Sequence, residues 1–174
     1  NSKIGCENIT VGNRFSDAGN VFGDIVANTL SFIKVIRIAL PSTNLYKILE
    51  KRAAASTGWM VTTGTGGFQI YTINNLGGVQ NTASLGVDSR DAAWHCCMGY
   101  INGTTKGVRI FSDIGTSAQV LYVNNINNAG NFAIGAPSDL TSALFQAAYL
   151  ALLNIEVTQT MFDSFWRAFN PAGL

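Results

Sequence analysis

The chain has 174 residues, 47% hydrophobic and 12% charged, with a formal net charge of +1. A domain of this length buries about 70% of its unfolded surface without help from metal or disulfide, so one compact domain is expected. The charged share is about half the usual quarter, its place taken by Asn, Ser, Thr and Gly, which excludes both disorder and a bundle of long Lys/Glu-rich surface helices.

The basic residues are scattered from Lys3 to Arg167, leaving no cationic stripe for a phosphate backbone, and nucleic acid is not an expected partner. The chain begins at Asn1 with no basic-then-apolar secretory segment, and is expected to be processed, trimmed or cut from something longer. The first strong strand signal is at residues 31–40, where Phe32, Lys34, Ile36 and Ile38 alternate with Ile33, Val35, Arg37 and Ala39. Residues 1–30 are therefore set apart as an N-terminal segment, and 31–174 as the domain. Apolar residues on both faces of 31–40 place that strand largely inside.

Residues 45–51 carry helix-favouring Leu, Lys and Glu, but their neighbours make them a strand. Segments 59–63 and 68–73 flank Gly64-Thr65-Gly66-Gly67, a hairpin signal, since glycine supplies the positive φ of a tight reversal. A weak polar strand follows at 79–85. Residues 94–101 are apolar at either parity and should be central in their sheet. Asn102-Gly103 signals a hairpin to a partner strand at 108–112. Further strands are expected at 121–123, 132–134 and 148–156. The last element differs in kind. Met161, Phe162, Phe165, Trp166 and Phe169 recur at helical spacing, Thr160 with Asp163 resembles a capping box, and Pro171 stops the helix. A helix so aromatic must dock on the sheets or on a partner.

The longest nearly apolar run, 143–155, contains Gln146 and falls short of the roughly 20 residues of a bilayer span, so no membrane partner is expected. Cys6, Cys96 and Cys97 cannot all pair within one chain, and adjacent cysteines on a strand point to opposite faces. They are read as reduced, buried thiols, with a bridge between chains through Cys6 as the alternative.

From Trp94-His95, through Tyr100-Ile101-Asn102-Gly103 and the run from Val108 to Gly115, to Phe132-Ala133-Ile134-Gly135 and Ala148-Tyr149-Leu150-Ala151-Leu152-Leu153-Asn154, the order of features resembles the laminin-G-like branch of the concanavalin A-like lectin and glucanase jelly rolls. Upstream, Ile48-Leu49-Glu50-Lys51-Arg52 and Gly58-Trp59 fit the same family's early strands. The resemblance spans about residues 31–169 and rests on core and turn positions, which speak to fold more than to function. Residues 1–28 lack the family's aromatic-Gly-Asp opening, so that segment is either the usual edge strand or an arm pairing with a neighbouring molecule. The expected fold is an all-β, two-sheet antiparallel sandwich of jelly-roll type with one short C-terminal amphipathic helix.

The wider superfamily includes glycoside hydrolases, which need two carboxylates about 5 to 9 Å apart. Glu7, Glu50 and Glu156 are the only glutamates and form no alternating acidic run. Asp88 and Asp91 are the nearest acidic pair, and their turn-rich context favours self-capping over acid/base work. His95 is the only histidine, which excludes a multi-histidine metal site. It shares a strand face with Cys97, but no third orienting group is evident and a packed strand residue is the preferred reading. Some laminin-G-like domains bind calcium, and Asp88, Asp91, Asp113 and Asp139 are the rim candidates. None forms an alternating Asp loop of the kind a hard cation favours, so turn formation is preferred. The sequons at Asn8 and Asn102 are expected by chance.

Trp59, Tyr71, Tyr122 and Tyr46 are the candidates for stacking on a sugar, with loop Asn and Asp binding its hydroxyls. The resemblance implies a non-enzymatic binding or assembly module, foremost a phage or other virion structural component on a virion or extracellular surface, partnered by its own copies or by neighbouring structural proteins. The alternative is a carbohydrate-binding lectin domain of a secreted or cell-surface protein. A glycan-cleaving enzyme ranks third.

Overall fold

The computed structural model describes residues 7–9, 15–17, 25, 28–38, 46–53, 57–64, 66–73, 79–123, 126, 132–134 and 145–170. In chain order the strands are β1 (Glu7–Ile9), β2 (Phe15–Asp17), β3 (Thr29–Arg37), β4 (Tyr46–Ala53), β5 (Thr57–Gly64), β6 (Gly67–Ile73), β7 (Val79–Ser84), β8 (Trp94–Asn102), β9 (Gly107–Ser112), β10 (Gly115–Thr116), β11 (Val120–Leu121), β12 (Phe132–Ile134) and β13 (Phe145–Leu153). One helix, α1 (Gln159–Phe169), follows. The strands form two antiparallel sheets, as the alternation predicts. Sheet 1 runs β1-β13-β3-β8-β9-β10, with β11 also on β9, and sheet 2 runs β2-β12-β4-β5-β6-β7. Late strands wedge between early ones. β13 lies between β1 and β3, and β12 between β2 and β4, so the 1–30 segment gives each sheet one of its outer strands.

Burial explains why β3 and β8 are apolar at both parities. Their long ladder, from Thr29 opposite Asn102 to Arg37 opposite Trp94, sends alternate side chains to two different cores. Inward, Phe32, Ile36, Cys97 and Ile101 meet Leu49, Trp59, Val61, Phe68, Ile70 and Phe132 of sheet 2. Outward, Ile33, Val35, Cys96, Met98 and Tyr100 lie beneath Val157 and Phe162, the latter from α1. Each fully buried side chain of this size contributes about 1.5 to 3 kcal/mol. A bulge between Lys47 and Leu49 of β4 leaves both Ile48 and Leu49 in the inner core. Gly99 on β8 is required by close approach, since a Cβ there would lie 2.6 Å from the Phe32 ring.

The hairpin signals fall where expected. Gly64 pairs with Gly67 across the β5–β6 turn. Gly67 has φ +71°, and a Cβ on it would stand 2.0 Å from the Val87 carbonyl oxygen, so glycine is demanded twice. At the β8–β9 turn Asn102 Oδ1 accepts the Thr104 and Thr105 amides, both at 2.9 Å. Its side-chain amide donates to Glu156 at 2.6 Å, so the buried Asn102 sequon is not an exposed glycosylation site.

Most strand boundaries shift by one to three residues from expectation, β13 for instance ending at Leu153 rather than 156, and three of the differences have a visible cause. β13 starts at Phe145, three residues earlier, because Phe145 to Ala147 pair with β1. β11 is only Val120–Leu121, paired to Val108 and Gly107, and leaves Val123 outside the ladder. The helix is capped by Thr158 rather than by Thr160 with Asp163. The Thr158 side chain accepts the Met161 amide at 3.3 Å, which places Thr160 inside the first turn.

Candidate functional site

A polar junction forms where the crossover from sheet 2 to sheet 1 meets the start of β8. His95 Nδ1 lies 2.9 Å from Asp113 Oδ2, and its Nε2 lies 2.9 Å from Asp91 Oδ1. The ring also meets Phe68 of sheet 2 edge-on. Asp113, in the β9–β10 turn, accepts the Cys96 amide and the Ser112 hydroxyl through its other oxygen. The expectation that no third group orients His95 is therefore corrected: two carboxylates do. One arrives four residues before the histidine, from the loop that enters β8, and the other 18 after it, brought alongside by the β8–β9 ladder.

The same contacts dispose of the acid/base and nucleophile readings. With each ring nitrogen 2.9 Å from a carboxylate, His95 has neither nitrogen turned toward an open site where a base would meet a substrate. The hydrogen bond it donates to Asp113 leads the causes that raise its pKa, against the opposing effect of burial. Cys97 shares its face, but burial pushes that thiol up to about 12, far from a reactive thiolate. Cys96 is pushed up also, chiefly by burial, and both are buried free thiols facing opposite cores. Cys6 lies outside the described residues.

Asp88 and Asp91 cap their own loop. Asp88 takes the Arg90 amide and, through both oxygens, its guanidinium at 2.8 and 2.6 Å, which holds its carboxyl below the usual range. Asp91 takes the Ala93 amide, and that bond leads the causes lowering its pKa. Both oxygens of Asp88 and of Asp113, and Oδ1 of Asp91, are thus turned to N–H and O–H donors. Among the described residues no three His, Cys, Asp or Glu side chains gather as a metal group. Asp139 lies outside those residues.

The four candidate stacking rings have different fates. Trp59 is 1% exposed and packs on Phe132 at 6.0 Å in the inner core. Tyr122 is 2% exposed, donates its hydroxyl to the Asn102 carbonyl and is pushed by burial up to about 12. Neither ring has a face for a sugar, because inner-face parity on β5 and the fold of the 120–122 segment put them inside. The Tyr46 side chain lies outside the described ones. Tyr71, half-buried on the outer face of β6, reaches solvent.

Tyr71 stands in a built polar strip. Its hydroxyl donates to Gln69 Oε1 at 2.7 Å, Gln69 Nε2 donates to Ser84 Oγ at 3.1 Å, and Ser84 donates to the Gly66 carbonyl at 2.9 Å. Thr82 pairs with Tyr71 and Ser84 with Gln69 across β6 and β7, so all four side chains share one face. The relay fixes the Tyr71 ring while burial raises the phenol's pKa. Gln69 and Ser84 were missed in the sequence. Their signal was parity with Tyr71 on paired strands.

Lys34 was missed as a buried amine, although its parity with Phe32 and Ile36 announced it. Its amine is fully buried with no hydrogen-bond partner among the described residues, 4.3 Å from the Phe68 ring centroid, and desolvation lowers its pKa to about 8.

No protein-family model matches the chain and no curated protein matches it by sequence. Solved structures do match by fold. The botulinum neurotoxin serotype D binding domain superposes with a TM-score of 0.68 at 9% identity, over 94% of this chain and 42% of that one. A receptor binding domain of botulinum neurotoxin D gives 0.67 at 10% identity, over 94% and 44%. A structure of botulinum neurotoxin type C, whose cell entry is described as dependent on interaction with two ganglioside molecules, gives 0.61 at 11% identity, over 92% and 46%. The chain thus spans less than half the length of each. These neighbours are described by binding rather than by catalysis. At such identity the likeness carries the fold, a β-sandwich consistent with a lectin-like jelly roll, and the laminin-G-like family is not thereby identified.

Proposed function

We infer that the chain is a non-catalytic recognition module that binds an uncharged hexopyranose through the outer face of β6 and β7. The observation that carries this reading is Tyr71, a half-buried ring at the surface of β6 held by the hydroxyl–amide–hydroxyl relay through Gln69 and Ser84. A flat ring covers the apolar face of a pyranose, while amide and hydroxyl groups beside it exchange hydrogen bonds with the sugar's hydroxyls. Tyr71, Gln69, Thr82 and Ser84 carry no charge at neutral pH, which favours a neutral sugar over an acidic one. The binding role of the structural neighbours is in keeping with the reading.

A glycan array tests it. The protein should bind neutral hexose-terminated glycans, and Tyr71→Ala should weaken that binding at least about tenfold, a loss of about 1.4 kcal/mol, with an unchanged circular-dichroism spectrum. Retained binding in a folded Tyr71→Ala variant would overturn the assignment, as would release of cleaved product.

A second reading, assembly with copies of itself or neighbouring structural proteins on a virion or other extracellular surface, is favoured by Leu121 and Val123. These are 61% and 82% exposed, at and just beyond the short strand β11 that flanks β9. An apolar edge invites strand pairing. Sedimentation at micromolar concentration should then show oligomers that Val123→Lys disperses; a monomer at all concentrations would speak against self-assembly.

A further inference from the structure

His95 meets two carboxylates with two ring nitrogens, both at 2.9 Å. With both acids ionised, only the doubly protonated imidazolium satisfies that geometry, because a neutral ring carries one N–H and would turn a lone pair toward the second carboxylate. The two acids are not equivalent. Asp113 is 14% exposed at its side chain and also accepts the Cys96 amide and Ser112 hydroxyl. Asp91 is 57% exposed, within reach of replacement water. Loss of one proton therefore leaves Nδ1–H on Asp113 and sets Asp91 free.

Asp91 belongs to the loop that carries the chain from β7 in sheet 2 to β8 in sheet 1. Its first half is stitched to sheet 2 by Leu85 N to the Phe68 carbonyl, Gly86 N to the Gly66 carbonyl, and the Ser89–Thr63 hydroxyl pair. Its second half is tied to sheet 1 through Asp91 and His95. The geometry assigns to His95, Asp91 and Asp113 a proton-operated latch. It holds this crossover loop against sheet 1 while the imidazole carries both protons, and releases Asp91 when one is lost.

The groups facing His95 are Asp91 from the loop, Asp113 from the β9–β10 turn, the uncharged Phe68 ring from β6 and, by register, Ile36 on β3. Nearby, Arg90 is bound to Asp88, and Lys34 lies opposite Cys97, one inner-face position along β8. The bond to Asp113 leads the causes that hold the histidine's proton affinity above the ordinary value. The folded chain then binds this proton more tightly than the unfolded one. The stability it contributes is complete below the ordinary histidine range and is lost as pH rises through the raised value. On the acid side, Asp91 is depressed, led by the Ala93 amide, so its share is lost as pH falls through that lowered value. The latch is closed between these limits.

The test is nitrogen NMR of the His95 ring across a pH series, with amide exchange of the 86–93 loop read in the same samples and corrected for intrinsic base catalysis. Both ring nitrogens should be protonated at pH 7, and protection of the Ala93 amide should fall about tenfold as the ring titrates, the size of one charge-assisted bond. Asp91→Asn should lower the His95 midpoint and remove that pH dependence, whereas Asp88→Asn should leave both in place. A neutral ring at pH 7 overturns the latch, as does loop protection that ignores the titration. If Asp91→Asn fails to fold, the ring and loop titrations of the unaltered protein still decide. None of these readouts involves a sugar, so the latch stands or falls apart from the glycan reading.

Discussion

The outer faces of the two sheets have opposite fates. Sheet 1 turns Ile33, Val35, Cys96, Met98 and Tyr100 outward and hides them under Val157 and α1, whose Met161, Phe165, Trp166 and Phe169 pack around the seal. On sheet 2, β6 and β7 turn out Gln69, Tyr71, Thr82 and Ser84, which stay partly open, with Tyr71, Gln69 and Ser84 bonded in series. An apolar face must be covered to be stable, whereas a polar one can remain at the surface. The helix thus seals the outer face of sheet 1 and leaves the β6–β7 strip open to solvent.

Variants on the two faces should separate accordingly. Phe162→Ala opens a cavity beneath α1 and should cost about 3 to 5 kcal/mol in urea unfolding, the largest effect. A cost near zero would mean the helix is not seated there. Gly67→Ala places a Cβ against the Val87 carbonyl at positive φ and should cost about 1 to 3 kcal/mol in the same assay. It would also misplace the hairpin beside Gln69. Thr158→Ala removes the cap of α1 and should cost about 1 kcal/mol by thermal melting, loosening the sealed face without touching the strip. Tyr71→Ala should change stability by less than about 1 kcal/mol yet abolish sugar binding. Should Tyr71→Ala unfold the protein as Phe162→Ala does, the two faces would be alike and the comparison would fail.

The sandwich was legible because parity is local. The alternation of Phe32 and Ile36 with Ile33 and Val35, the Gly64–Gly67 turn and the Asn102-Gly103 signal each report on a few neighbouring residues, and the structure places strands and reversals accordingly. Edges were less legible, since the start of β13 depends on pairing with β1 more than a hundred residues away. The site was harder still. His95 and Cys97 were rightly placed on one face, but Asp113 reaches His95 through the β8–β9 hairpin and Asp91 through a loop fold that composition does not encode. Trp59 and Tyr122 were nominated as rings without their depth being known. Ring type can be read from a sequence, but exposure is decided by which face the opposite sheet covers.

The most direct test is a chemical-shift titration of the isotope-labelled protein with neutral hexose oligosaccharides. The account predicts perturbations clustered at Gln69, Tyr71, Thr82 and Ser84, with Phe162 and the rest of α1 silent. Shifts centred instead on α1, or on Leu121 and Val123, would contradict it.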